Sequence, residues 1–213
     1  MTPGFHWTLR PSVKEDDPVL KAFPAELPLL VKQLLLQRGF TGGMETELFL
    51  DPRLSHLSDP FLMGEMRAAV DRIFRAVDEG ETVCIYGDYD VDGVTSVALL
   101  RAILMAYDLD PQYFIPVRSR EGYGLSEAGI KRCLCECADP PSLLITVDCG
   151  TSSVKEVDML NSLGIDVIIL DHHEAGPLGR PDAAAVVNAK IEENSPYTYP
   201  VSYTHLTLPT IRL

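Results

Sequence analysis

Asp88, Asp90 and Asp92 fall within five positions of one stretch, GDYDVDGVTS (87–96), with no basic residue among them. Carboxylates this close repel one another and take up protons unless a cation stands between them. Two further segments carry the same kind of chemistry: VDCG supplies Asp148, and LDHH supplies Asp171, His172 and His173. Acids and imidazoles gathered from separate segments suit divalent cations, whose charge turns mutual repulsion into shared coordination. A calcium loop of the EF-hand kind is excluded. Counted from Asp88, its twelfth position is Leu99, where that loop needs a bidentate Glu. A lone Asp after a strand is ordinarily a cap or turn residue, but capping does not account for all three segments together.

Elements that could gather these residues are legible from residue 81 onward. The apolar, β-rich runs TVCIY, QYFIP, LLITV, DVIIL and AAVVN alternate with helical patterns near 94–107, 126–137 and 152–163. Strand and helix in alternation predict an α/β fold, an open, mainly parallel Rossmann-like sheet flanked by helices. In such sheets ligands bind beyond the carboxyl ends of the strands, and three of these runs lead straight into the acids. Before residue 80 the pattern is helical: PAELPLLVKQLLLQRGF and DPFLMGEMRAAVDRIFRAVDEG repeat apolar residues at helical spacing and stop at Gly39 and Gly80. The expected organisation is a helical lead-in over 1–79, an α/β domain over 80–200, and a tail over 201–213 that fits neither. That tail, ending SYTHLTLPTIRL, reads as non-native sequence from a truncated frame, or else as a terminal edge strand.

Composition narrows the function. A chain of 213 residues accommodates one sizeable domain with an appendage, and 46% hydrophobic with 23% charged residues is ordinary for a globular protein. The net charge of −13 opposes nonspecific adhesion to nucleic acid or anionic membranes, although bound divalent metals can reverse the field locally. No run approaches the ~18 apolar residues of a membrane span, and the start lacks a signal-peptide pattern, so a cytoplasmic protein with no membrane association is expected. Five cysteines, odd in number and set in apolar stretches, suit a reducing compartment. Cys133 and Cys137 share the helical face of Ile130 and Leu134. With no CxxC and no second cysteine pair, core packing is the expectation for them rather than zinc.

Four ordered motifs, GDYDVDGVTS, RSREGYGLSE, VDCGTSS and LDHHEAG, resemble those of the DHH phosphoesterase superfamily. GYGLS and the lead-in FLDPRLSHLSDPFLMGEM are most similar to RecJ-type exonucleases specific for single-stranded DNA. The resemblance runs over about residues 20–200 and implies that the chain is the N-terminal part of a longer nuclease. It implies Asp90, Asp92 and His172 as metal ligands, Asp148 as a ligand bridging two metals, and Asp88 as a ligand or a neighbour of one. By the same resemblance His173 sits by the scissile phosphate, Asp171 orients the histidines, and Arg118 contacts nucleic-acid phosphates. Cys149 departs from the pattern, standing where many relatives have Asn. Two ions of Mn2+ or Mg2+ are implied, with the oxygen-rich donor set favouring manganese. The implied activity is 5′→3′ hydrolysis of single-stranded DNA in repair and recombination, with repair or replication proteins as partners. Thr95 and Ser96 are expected to open a helix that meets phosphate or buttresses the metal loop, or simply to cap it. Two other readings stay open: a DHH enzyme acting on oligoribonucleotides or cyclic dinucleotides, and a nonenzymatic replication scaffold.

Overall fold

A computed structural model of the chain describes residues 13–53, 55 and 59–191. The chain divides into two compact units, 1–57 and 58–213. In the second, β1 (Val83–Gly87), β2 (Gln112–Phe114), β3 (Leu143–Val147), β4 (Asp166–Leu170) and β5 (Ala185–Val187) form one sheet in the order β2-β1-β3-β4-β5. Every neighbouring pair is parallel.

The strands read as unbroken apolar runs because both faces are covered, and β1 and β3 are buried at all five positions. Alternate residues enter two cores. On one face Cys84, Tyr86, Leu144, Val167 and Ile169 meet helices α6 (Glu127–Glu136) and α7 (Val154–Ser162) through Ile130, Cys133, Val157 and Leu160. On the other, Val83, Ile85, Leu143, Ile145 and Ile168 meet α3 (Met66–Glu79) and α4 (Val91–Ala106) through Ala69, Ala76, Val97 and Leu104. Each fully buried Leu, Ile or Val stabilises the fold by about 1.5–3 kcal/mol relative to exposure. The result is a three-layer α/β/α domain.

Two boundaries differ from those the sequence predicts. The helix 66–79, grouped above with the lead-in, buries Ala69 and Ala76 in the sheet's own core, and its Arg72 bonds Glu81 and Asp166, so it lies in the second unit. The helix predicted from residue 94 begins at Val91, because the Asp90 carboxylate accepts from Gly93 N at 3.0 Å and caps it there. In the first unit, α1 (Leu29–Gln37) and α2 (Gly43–Leu50) follow a short 3-10 turn, Pro18–Ala22, and Phe23, Leu35 and Phe40 form a small core of their own. The predicted tail, 201–213, lies outside the described residues.

Strand order positions the site. From β1 the chain crosses to β2 on one side, while from β3 it moves to β4 on the other. The loops leaving β1 and β3 therefore diverge, opening a crevice above their carboxyl ends.

Candidate metal centre

Register aligns four loop entries. Gly87 pairs with Val147, Val147 with Leu170, and Leu170 with Val187. The residues that follow, Asp88, Asp148, Asp171 and Asn188, thus stand in one row across four adjacent strands spaced about 4.8 Å apart.

Asp88 and Asp148 face the crevice without enough donors to satisfy them. Asp88 Oδ1 accepts from Tyr89 N at 2.8 Å, but Oδ2 is buried with no hydrogen-bond partner among the described residues. Asp148 Oδ1 likewise lacks a hydrogen bond, its neighbour being His172 Nε2 at an ion-pair distance of 3.2 Å. Burial pushes Asp88 above the ordinary carboxylate range, with the Asp90 charge adding to it. Burial, then the Asp90 charge, drives Asp148 up to about 7. Asp148 also holds a left-handed backbone, φ 61°, a conformation that Asp tolerates better than most residues. Close approach of the first helical turn depends on Gly93, where an added Cβ would lie 2.3 Å from the Asp88 carbonyl oxygen.

At this rim, two groups of side chains offer ligand atoms within 4.8 Å of one another: Asp88, Asp90 and Asp148, and Asp148, His172 and His173. Asp148 belongs to both. Orphaned carboxylate oxygens beside an imidazole, in a donor set without sulfur, fit hard divalent cations.

Asp171 organises the histidines. Its Oδ2 accepts from Thr151 N at 2.9 Å, while Oδ1 accepts from the amides of His172 and His173 at 2.7 and 3.1 Å and meets His173 Nδ1 at 2.7 Å. Burial alone would raise this carboxyl, but these bonds outweigh it and hold Asp171 below the ordinary range. With Nδ1 directed at a carboxylate, His173 presents Nε2 outward to Tyr123 Oη, 2.9 Å away. Asn188 closes the arrangement, its Nδ2 donating to the His173 carbonyl and Thr151 Oγ1, both at 2.8 Å.

A rim of aromatic and basic groups borders the carboxylates. Tyr123 stands between Gly122 and Gly124, both at positive φ, in a loop held by Tyr86 Oη donating to Gly124 O at 3.2 Å. Preceding it, α5 (Arg118–Glu121) is anchored by Glu121, which accepts from Val117 N and from Arg132. The Tyr89 and Tyr123 rings pack edge to face at 6.4 Å, and the Arg118 guanidinium lies 5.3 Å from the centre of the Tyr89 ring. Burial and the nearby carboxylates push the Tyr123 phenol up to about 12.

Residues 82–208 match the DHH family, N-terminal domain. The chain belongs to the DHH family. It is 40% identical over 179 residues to the single-stranded-DNA-specific exonuclease RecJ of Bacillus subtilis, covering 83% of this chain and 22% of that protein. With the Escherichia coli protein of the same name it shares 34% over 173 residues, 80% of this chain and 28% of the relative. A solved structure of exonuclease RecJ bound to manganese superposes with a TM-score of 0.57 at 31% identity, over 65% of this chain and 34% of that one. The chain thus spans roughly a quarter of the length of these curated relatives.

Within this DHH-family domain the structure brings together five predicted residues, Asp88, Asp90, Asp148, His172 and His173, with Asp171 hydrogen-bonded beneath the histidines. Asp92 lies in the first turn of α4, outside both ligand groups, although its charge acts on Asp148. Arg118 reaches the rim. Thr95 and Ser96 do not open the helix as predicted. They occupy its second turn, donating to the carbonyls of Val91 and Asp92 at 2.6 and 2.5 Å. Cys149 is buried in the core on the α6–α7 face, and burial drives its thiol well above its ordinary value. Sequence reasoning passed over Tyr89, Tyr123 and Asn188. The tyrosines stand inside the quoted motifs DYDVDG and GYGLS, and Asn188 ends a predicted strand just as the acids do. Among the described residues, no helix is long and apolar enough to cross a membrane.

Proposed function

We propose that this chain forms the metal-binding part of a RecJ-type exonuclease that degrades single-stranded DNA from its 5′ end, in the cytoplasm, during repair and recombination. The observation that carries the reading is Asp148, one carboxylate common to two ligand groups built from three strand ends. Asp88, Asp90 and Asp148 would hold one Mn2+ or Mg2+, and Asp148 with His172 a second. Asp92 is the further ligand that the family resemblance implies. When bound, such a pair lowers the pKa of a coordinated water and neutralises charge developing on the phosphodiester.

The chain's own residues orient the strand. His173 has its ring fixed by Asp171 and its Nε2 turned toward Tyr123, and it would sit by the scissile phosphate, as the family resemblance implies. Tyr89 and Tyr123 offer stacking surfaces for bases, and Arg118 offers a charge for the backbone, the combination by which single strands are held without sequence readout. Thr95 and Ser96 buttress the turn that carries Asp90 and Asp92.

The test is Mn2+-dependent hydrolysis of an end-labelled single strand, compared with duplex and with dinucleotides. Because the relatives are much longer, hydrolysis is assayed in the full reading frame that carries these residues, and Mn2+ binding in the chain itself. Single strands should be degraded in preference to both competitors. Asp90→Ala and His172→Ala should each abolish hydrolysis while leaving the circular dichroism intact; undiminished cleavage by both variants would overturn the reading.

A further inference from the structure

On the α6–α7 side of the sheet, away from the carboxylate rim, three thiols converge. Cys84 comes from β1, Cys133 from the last turn of α6, and Cys137 is the residue that caps that helix, its amide donating to the Cys133 carbonyl at 3.0 Å. Cys84 Sγ and Cys133 Sγ are 3.6 Å apart, and all three sulfurs lie within 4.8 Å of one another. All are free thiols. Sequence spacing identified Cys133 and Cys137 as sharing a face but could not show that Cys84, forty-nine residues earlier than Cys133, completes the set.

We infer that Cys84, Cys133 and Cys137 form a binding site for one thiophilic d10 metal ion, held by three sulfurs.

Distance supports this. With metal–sulfur bonds near 2.3 Å, trigonal or tetrahedral coordination requires sulfurs about 3.8–4.0 Å apart; Cys84 and Cys133 already stand 3.6 Å apart, and Cys137 lies within 4.8 Å of both. Donor chemistry supports it as well. Soft thiolates select cuprous, zinc or cadmium ions over the hard cations suited to carboxylates. The nearest acid on the helix, Glu136, is engaged by Arg132 at 2.9 Å, which leaves sulfur as the ligand set. There is an entry path, because Cys84 and Cys133 are buried while Cys137 is half-exposed.

The surroundings are braced before any ion binds. Gln112, the register partner of Cys84, accepts from Ala138 N at 2.5 Å and donates to Asp139 O at 2.8 Å, pinning the chain just beyond Cys137. Cys84 precedes Asp88 by four strand residues, about 13 Å at ~3.3 Å per residue, so this site is separate from the carboxylate rim. Each thiol that ligates releases its proton to solvent, and no oxidation is involved. An ion here would clamp α6 to β1. The opposite end of that helix, capped by Ser126, carries the loop of Tyr123.

The experiment uses the 213-residue chain, reduced with a phosphine that contributes no thiol, with Mg2+ in excess to fill the carboxylate rim. Cadmium is titrated while ultraviolet sulfur-to-metal charge transfer, proton release and the thermal midpoint are followed. The expected result is one ion per chain, a charge-transfer band, released protons and a raised midpoint. Cys137→Ser, at the half-exposed position and least disruptive to folding, should lose the band and the rise in midpoint, whereas Cys135→Ser should keep both. Absence of the band in the wild-type chain, or its persistence at full strength in a folded Cys137→Ser variant, overturns the inference.

Discussion

His172 Nε2 stands 3.2 Å from Asp148 Oδ1, an oxygen that is buried and receives no hydrogen bond among the described residues. The two side chains leave different strands, β3 and β4, whose last paired residues are Val147 and Leu170. Sheet register alone therefore delivers an imidazole to an under-satisfied carboxylate, and Asp88 and Asp90 extend the same cluster from β1. Without a cation, such a cluster opposes folding.

That opposition is measurable through Asp148→Asn. The native carboxyl sits at about 7 against an ordinary value near 3.9. A raised acid means that the native state binds the proton more tightly than the unfolded chain does. Its contribution to stability therefore falls as pH rises from about 4 to about 7, by up to ~1.4 kcal/mol per unit. In chelator at pH 8, Asp148→Asn should be more stable than wild type by about 1–3 kcal/mol in urea unfolding. The gain should vanish near pH 4, and Asn suits the left-handed φ of 61°. Adding Mn2+ should stabilise wild type and leave the variant unmoved. A variant less stable than wild type in chelator at pH 8 would refute the account in which burial, reinforced by the Asp90 charge, opposes the ionised carboxylate.

Asp171 should behave oppositely, because its carboxylate is satisfied. Alanine there strands the amides of Thr151, His172 and His173 and frees the His173 ring. Unpaired buried donors cost about 1–3 kcal/mol each, so Asp171→Ala should lower stability by at least ~2 kcal/mol, and Asp171→Asn, which keeps an acceptor, by less. Nitrogen chemical shifts of His173 should show the fixed Nδ1–H tautomer in wild type and its loss in Asp171→Ala. An unchanged tautomer would show that Asp171 does not orient the ring.

Much of this geometry was readable in the chain, for a physical reason: parallel strands buried on both faces are continuous apolar runs, and LLITV and DVIIL end immediately before their acids. Neighbouring strand ends then had to share a rim. The place of Asp92 was less legible. The family resemblance implies Asp92 as a ligand beside Asp90, but the bond from Gly93 N to Asp90 starts the helix at Val91 and carries Asp92 into its first turn. Tyr123 meeting His173, and Cys84 meeting Cys133, are pairings across fifty and forty-nine residues. No local period encodes such pairs. They emerge only once strand order is known.

The aromatic rim makes a prediction about DNA. If Tyr89 stacks a base, Tyr89→Ala should weaken binding of a single strand by about 1–3 kcal/mol with little change in salt dependence. Arg118→Ala should instead flatten the plot of log affinity against log salt by about 0.7 for each phosphate left without its cationic partner. Fluorescence anisotropy of a labelled oligonucleotide across a salt series separates the two. Equal salt slopes for Arg118→Ala and wild type would remove Arg118 from the strand's path.

Gly93 is a steric requirement rather than a flexible joint. A methyl group there would lie 2.3 Å from the Asp88 carbonyl oxygen, so Gly93→Ala must lift the first turn of α4 and with it Asp90. Overpacking of this kind typically costs about 1–3 kcal/mol. The variant should also bind Mn2+ at least ~10-fold more weakly, since 1.4 kcal/mol corresponds to a factor of ten, as measured by calorimetric titration. Wild-type affinity in a folded Gly93→Ala chain would show that Asp90 is not a ligand.

Arg72 offers a stability test remote from the centre. Its side chain, 8% exposed, bonds Glu81 through two guanidinium nitrogens at 3.0 and 2.8 Å and Asp166 at 2.7 Å, fastening α3 beside β1 and β4. The bond from Arg72, followed by that from Ser142, overcomes burial and holds Glu81 below the ordinary carboxylate range. A depressed acid contributes stability that is fully present above its unfolded value, near 4.3, and is lost as pH falls through the lower folded one. Arg72→Ala leaves Glu81 without its partner and should cost about 3 kcal/mol at pH 7, the lower end for breaking a buried pair. The deficit should shrink as pH falls below ~4, where Glu81 takes up its proton in the variant. Urea midpoints at pH 7 and pH 3 decide the matter: a deficit that is constant with pH would assign the loss to packing by the arginine stem rather than to charge.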